Sequence, residues 1–363
     1  MLIVKKLSLG LLVENGINSD PTSWSYSLKI LVTGDHGYVG SVLAPLLVER
    51  GYEVAGLDIG YFTECLLSRT DDSYKRIFKD IREVSSEDIE GVDVIIHLAG
   101  LSNDPAGDLQ PELTEQTNLD ATVKLGRLAK SAGVTRFIYA SSQSMYGISS
   151  SSEELDEDLS EKLPLTTYAR TKWEAEIALK ELQSDSFSVV CFRPSTVFGV
   201  SPRLRCDIVF NNFVACAYTT GKIEILSDGT PWRPVVHIRD VCSAFIAGLE
   251  APLDLVGGRS YNVGIPNGNF SVRDLAEAAQ RVVPGTELKF TGQHGGDSRT
   301  YKVSFKRILS ELSEWYKPEW NLDSGGRELV EFFKAINFNE DDFRGPKTNR
   351  LPKLKQYFAE IRK

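Results

Sequence analysis

The sequence predicts a doubly wound α/β fold: a parallel sheet with helices on both faces, joined to a smaller, interleaved C-terminal domain. Three observations predict it. Short apolar runs alternate with amphipathic stretches from Leu28 to Pro194, as in a sheet buried on both faces. A glycine-rich turn, Thr33-Gly34-Asp35-His36-Gly37-Tyr38-Val39-Gly40, follows the first run and opens a helical stretch. After Pro194 the rhythm changes, with longer loops and more Pro and Gly between short strands.

Taken in order, LKILVTG (28–34) is a buried strand and residues 38–50 a helix. EVAGLD (53–58), YKRIFKD (74–80) and VDVIIHLA (92–99) are the next strands. A helix over 111–132 leads to the strand VTRFIYASS (134–142), and a helix over 166–182 leads to FSVVCFRP (187–194). We expect residues 28–194 to form the first domain and 195–363 mainly the second, with a helix at 271–283. PVVHI and SYNVG, within 234–264, are expected to return to the first domain. The stretch 149–161 (SSSSEELDEDLSE) reads as an acidic loop.

Composition narrows the function. The 363 residues suit one large domain or two, and 42% apolar with 25% charged residues is a globular balance. A net charge of -9 repels phosphate polymers and argues against nucleic acid as a partner. Five cysteines without CxxC spacing exclude a disulfide framework, and four scattered histidines lack metal-ligand spacing. No uncharged apolar run reaches the roughly 18–20 residues of a membrane helix. Residues 1–27 only faintly resemble a signal peptide and are read as an extension outside the fold, so a cytoplasmic location is expected. The basic tail from Phe343 is read as solvated surface with an end helix carrying Leu351, Leu354, Tyr357 and Phe358.

The glycine turn carries the first functional signal. Gly34, Gly37 and Gly40 let the backbone turn tightly and approach a pyrophosphate, with Tyr38 and Val39 in the same loop. A helix N-terminus there supplies N–H donors. Asp58 ends the second strand, where a carboxylate accepts both ribose hydroxyls of an adenosine. No Arg or Lys follows within 59–62 to receive a 2′-phosphate, which favours NAD over NADP. Asp80 and Ile81 are placed to meet the adenine, and Leu98-Ala99-Gly100 is small enough for close contact.

Tyr168 and Lys172, four apart in a helical pattern, share a face. An ammonium beside a phenol favours the phenolate, bringing Tyr168 toward use as an acid and base. Ser141 and Ser142 end the fifth strand, where strand carboxyl ends face a ligand crevice.

Together TGDHGYVG, Asp58, HLAG, SSQSMYG, YARTK, RPSTVFG, RPVVHIRDV and YNVG make the chain resemble the extended short-chain dehydrogenase/reductase family, in its nucleotide-sugar epimerase/dehydratase branch. The resemblance implies that Ser142 is the catalytic hydroxyl in preference to Ser141, that Asn118 is a helix asparagine supporting the active-site geometry, and that Ser141, Asn118 and Pro194 lie near the cofactor. It also implies a nucleotide-diphosphate sugar as ligand, with Asn103, Asn211, Asn212, Arg233 and Arg299 as its contacts. A homodimer through the helices 111–132 and 166–182 is implied as well, with Trp173 and Ile177 on the shared face.

Dehydratases of this branch carry Thr-Asp-Glu where this chain has Ser142-Gln143-Ser144. Elimination of water needs an acid and a base beyond the tyrosine, so the expectation is an epimerase that oxidises a sugar hydroxyl transiently and reduces it on the other face. The alternatives are a nucleotide-sugar reductase, dehydrogenase or dehydratase, and a non-catalytic dinucleotide sensor.

Overall fold

The computed structural model describes residues 27–70, 73–102, 104–148, 153–292 and 300–361. Asn103, Arg299, residues 1–26 and part of the acidic stretch lie outside the described residues.

The first five predicted runs form β1 (Lys29–Thr33), β2 (Glu53–Asp58), β3 (Lys75–Phe78), β4 (Val94–His97) and β5 (Arg136–Ala140). A two-residue strand, β6 (Glu154–Leu155), precedes β7 (Ser188–Pro194). Beyond lie β8 (Thr196–Phe198), β9 (Lys222–Ile225), β10 (Trp232–His237) and β11 (Ser260–Val263). The last are β12 (Asn269–Ser271), β13 (Glu287–Phe290) and β14 (Lys302–Val303).

Seven strands make the main sheet in the order β11-β7-β5-β4-β1-β2-β3, and every pairing is parallel. Both faces are covered. Ile30, Val32, Phe192 and Tyr261 pack on one side with Leu43, Leu47 and Phe245. Leu31, Ile95, Phe137 and Val189 pack on the other with Leu125 and Leu179. That is the physical origin of the continuous apolar runs: a strand with helices on both faces has no wet side to mark with polar residues.

The chain order reverses between β1 and β4, the switch point where such sheets open a crevice. Thr33 stands opposite His97, so the glycine turn and Leu98-Ala99-Gly100 leave the sheet side by side. His97 is locked there, with Nδ1 2.6 Å from Thr33 Oγ1 and Nε2 2.8 Å from Thr122 Oγ1. Burial pushes its imidazole down to about 3, keeping it neutral.

Two expectations about elements are corrected. β11 joins the main sheet, but β10 does not: it pairs with β8 and β12 in a separate three-stranded sheet. β11 ends the main sheet on that side, and the two edges of β10 are taken by β8 and β12 instead. The helix over 111–132 is not uniform either. Pro111–Glu115 passes through a wide π-turn, Gln116–Asp120, into Ala121–Ser131. A third apolar cluster lies outside the main sheet and includes Phe198, Phe210, Leu275, Leu329 and Phe333. No helix among the described residues is long and apolar enough to cross a membrane.

Candidate active site

A cavity of about 930 Å³ opens over the carboxyl ends of β1, β2, β4, β5 and β7. Ligand pockets are typically roughly 300–1,000 Å³. Its floor is the glycine turn. Gly34 has φ +79°, and a Cβ there would lie 2.7 Å from the Ala99 amide nitrogen; one on Gly40 would lie 2.1 Å from the Gly34 carbonyl. Only glycine permits this approach. The helix Gly40–Glu49 that follows has neither a side-chain cap nor an acidic residue in its first turn. Its positive end therefore meets the cavity with no acidic side chain of its own first turn to oppose an anion.

Gly34, Gly37, Tyr38, Val39, Gly40, Asp58, Asp80, Ile81, Leu98, Ala99 and Gly100 all line this cavity, as do Ser141, Ser142, Tyr168, Lys172, Pro194, Asn212 and Arg233. Asp58 Oδ1 accepts from the Gly60 amide at 2.7 Å. Burial pushes its carboxyl up, while that amide and the Arg203 charge act to lower it. Asp80 caps the turn after β3, and its carboxylate is bound to Arg82, with Nη2 2.6 Å from Oδ2. Tyr38 presents its loop backbone to the site while its ring is buried, its hydroxyl donating to the Gly199 carbonyl at 2.7 Å.

Two expected contacts are displaced from the cavity. Asn118 is fully buried in the π-turn; its amide donates to the Leu101 carbonyl and its Oδ1 accepts from the Leu101 N–H. It braces the loop after β4 from behind. Asn211 is equally buried, bound to Gly199, Arg205 and the Tyr38 hydroxyl. A primary amide that satisfies several backbone groups at once gains more there than at a wet wall. Its neighbour Asn212 is the one that faces the site.

Ser142, Tyr168 and Lys172 meet at the centre. Thr166 caps the helix Thr167–Lys180, accepting from the Ala169 amide at 3.1 Å and donating to Asp104 Oδ1 at 2.5 Å. Gly107 lets the neighbouring helix Asp104–Leu109 reach Tyr168, since a Cβ there would lie 3.0 Å from Tyr168 Cβ. Ser142 opens the short turn Gln143–Tyr146, accepting from the Ser144 amide at 3.2 Å. Its side chain also acts on the Tyr168 phenol, in the lowering direction.

Lys172 donates to the Ala140 carbonyl at 2.7 Å, and burial pushes its amine down to about 8. Burial raises the Tyr168 phenol, while Ser142 and the Arg205 charge act in the lowering direction.

Arg205, Asp207 and Arg350 also line the cavity, unsingled by the sequence. Arg205 forks onto Asp207 at 2.9 and 3.0 Å and reaches Ser102 Oγ at 3.2 Å. Arg350 is 3% exposed, with its guanidinium over the Phe62 ring at 4.3 Å. It starts the C-terminal helix Arg350–Ile361, so the tail expected as solvated surface is a wall of the site. The only hint in the sequence was the alternation Arg203-Leu204-Arg205-Cys206-Asp207.

The fold and this cavity define an extended short-chain dehydrogenase/reductase. The chain belongs to the NAD dependent epimerase/dehydratase family, whose model matches residues 30–264. It is 28% identical over 333 residues to the UDP-glucose 4-epimerase of Bacillus subtilis (strain 168), covering 83% of this chain and 94% of the relative. It is also 28% identical over 326 residues to UDP-glucuronic acid decarboxylase 1 of Arabidopsis thaliana, with 88% and 72% covered. In fold it matches an NAD-dependent NDP-hexosamine 5,6-dehydratase of tunicamycin biosynthesis with a TM-score of 0.74 at 22% identity, over 85% of this chain and 98% of that one. This is an NAD-dependent enzyme of the nucleotide-sugar epimerase/dehydratase class, and the glycine turn, the uncapped helix and Asp58 fit that cofactor.

Proposed function

We propose that the protein is a nucleotide-sugar epimerase. One observation carries the choice within the family: no carboxylate lining the cavity among the described residues is uncommitted. Asp58 holds the Gly60 amide, Asp80 holds Arg82, Asp104 holds Thr166 and Asp207 holds Arg205. Beside Ser142, the Gln143 amide donates to the Arg193 carbonyl at 2.9 Å, and Ser144 Oγ lies 2.9 Å from Ser142 Oγ. Elimination of water needs an extra acid and base, and this arrangement offers neither.

NAD supplies the hydride acceptor for the first half-reaction and the donor for the second. Tyr168, as phenolate, takes the hydroxyl proton when the sugar carbon is oxidised and returns it when the ketone is reduced. Ser142 holds the reacting oxygen, and Lys172 orients the cofactor ribose. Asn212, Arg233 and Arg205 are the candidates to hold the nucleotide diphosphate, guanidiniums matching phosphate geometry.

The test is incubation with a panel of nucleotide sugars, read by chromatography and mass spectrometry. An isomer of unchanged mass is expected, and Tyr168→Phe should lower kcat by about 10²–10⁴-fold. Loss of water, loss of carbon dioxide or a two-hydrogen change would overturn the reading.

A further inference from the structure

Behind the Ser142 turn lies a buried ion pair that the chemistry above does not use. Glu176 follows Lys172 by one helical turn and Tyr168 by two, and it is fully buried. Arg193 on β7 is 1% exposed. Its Nη2 lies 2.6 Å from Glu176 Oε1, and its Nε donates to both carboxylate oxygens. Ser260 Oγ donates to the same carboxylate at 2.7 Å.

The other end of the guanidinium reaches the Ser142 turn. Arg193 Nη1 donates to the Tyr146 hydroxyl at 2.9 Å and to the Glu157 carbonyl at 3.1 Å. Tyr146 is the last residue of that turn, and it in turn donates to Asn262 Oδ1 at 2.9 Å. Gln143, the first, donates to the Arg193 carbonyl. One residue thus grips the helix that carries Tyr168 and both ends of the turn that carries Ser142.

We propose that Arg193 is a positioning residue: through Glu176 and Tyr146 it fixes the Tyr168 phenol against the Ser142 hydroxyl. The proposal rests on the acid–base role assigned to Tyr168. Stability alone is a poor account of the pair, because apolar residues of similar volume often stabilise a core as well or better. What apolar residues lack is the rigid fork, which sets angle as well as distance. Misplacement of reacting groups by about 1 Å can cost about 10²-fold in rate.

The test compares the parent, the double variant Arg193→Met with Glu176→Leu, and Arg193→Lys. The double variant should fold with a thermal midpoint at or above the parent's, bind NAD equally, and lose about 10²-fold in kcat with KM unchanged. A second measurement is independent of turnover. The Tyr168 phenol is titrated by ultraviolet difference against the same protein carrying Tyr168→Phe. Its midpoint should rise in the variant, because Ser142, which acts to lower it, is no longer held in place, while Asp104 and Arg205 around it are unaltered. Should the double variant not fold, Arg193→Lys keeps the charge without the fork and is expected to show both changes. An unshifted phenol in folded protein, or full kcat, overturns the proposal. A shifted phenol in an enzyme that forms no isomer would sink the epimerase reading and leave the positioning role standing.

Discussion

Asp35 stands in the glycine turn yet turns its carboxyl into the protein. Its Oδ2 accepts from the Tyr74 hydroxyl at 3.2 Å, and a Cβ on Gly56 would lie 2.2 Å from the same oxygen. Burial, reinforced by the charge of Asp58, pushes it up to about 7 from 3.8. The folded state therefore holds a proton that the unfolded chain releases. That contribution to stability is complete below pH 3.8 and lost as pH rises through about 7. Asp35→Asn keeps the shape without the titration. Thermal melts should show a smaller fall in stability between pH 5 and 7 in the variant, by at most about 2–3 kcal/mol. At this scale the sequence exposes only residues whose role follows from local spacing. Tyr168, Lys172 and Asp58 are of that kind, and Ser142 follows from the family resemblance; the inward turn of Asp35 depends on β2 and β3.

Among the elements, the helix Thr167–Lys180 shows how a local signal acquires a remote purpose. Thr166 is an ordinary cap in sequence, but its hydroxyl also tethers Asp104 on the neighbouring helix. Thr166→Ala should lower stability by about 1–2 kcal/mol, measured as the urea midpoint; a loss near zero would show the cap to be replaced by solvent. The sheet was legible because period and apolarity mark a doubly covered strand. The π-turn at Gln116–Asp120 was not, since one widened turn barely disturbs a 3.6-residue pattern. β6 and β14, two residues each, are too short to carry any pattern.

Across the whole molecule the C-terminal helix closes the cavity from the side. Leu354 and Phe358 are buried against Leu101, with Tyr61, Phe62 and Leu113 around them. The Tyr61 and Tyr357 rings lie 4.2 Å apart. The tail thereby joins the loop after β2 to the segment after β8, where Cys206 N–H donates to the Thr348 carbonyl at 2.8 Å. Leu354→Ala should cost about 2–5 kcal/mol in packing, read by thermal melting. It should also weaken NAD retention on dialysis; retention equal to the parent's would mean that this wall is passive toward the cofactor.

By itself the sequence determined the parallel sheet, the glycine turn with its carboxylate, and the Tyr168 and Lys172 pair, because periodicity, φ freedom and helix spacing are properties of contiguous residues; Ser142 came with the family resemblance. Tertiary structure alone decided that Asn118 and Asn211 brace loops from within, that β10 leaves the main sheet, and that Arg205 and Arg350 reach the cavity wall. Those outcomes turn on which distant segments pack together. Burial and side-chain direction are set by that packing, which no local pattern encodes.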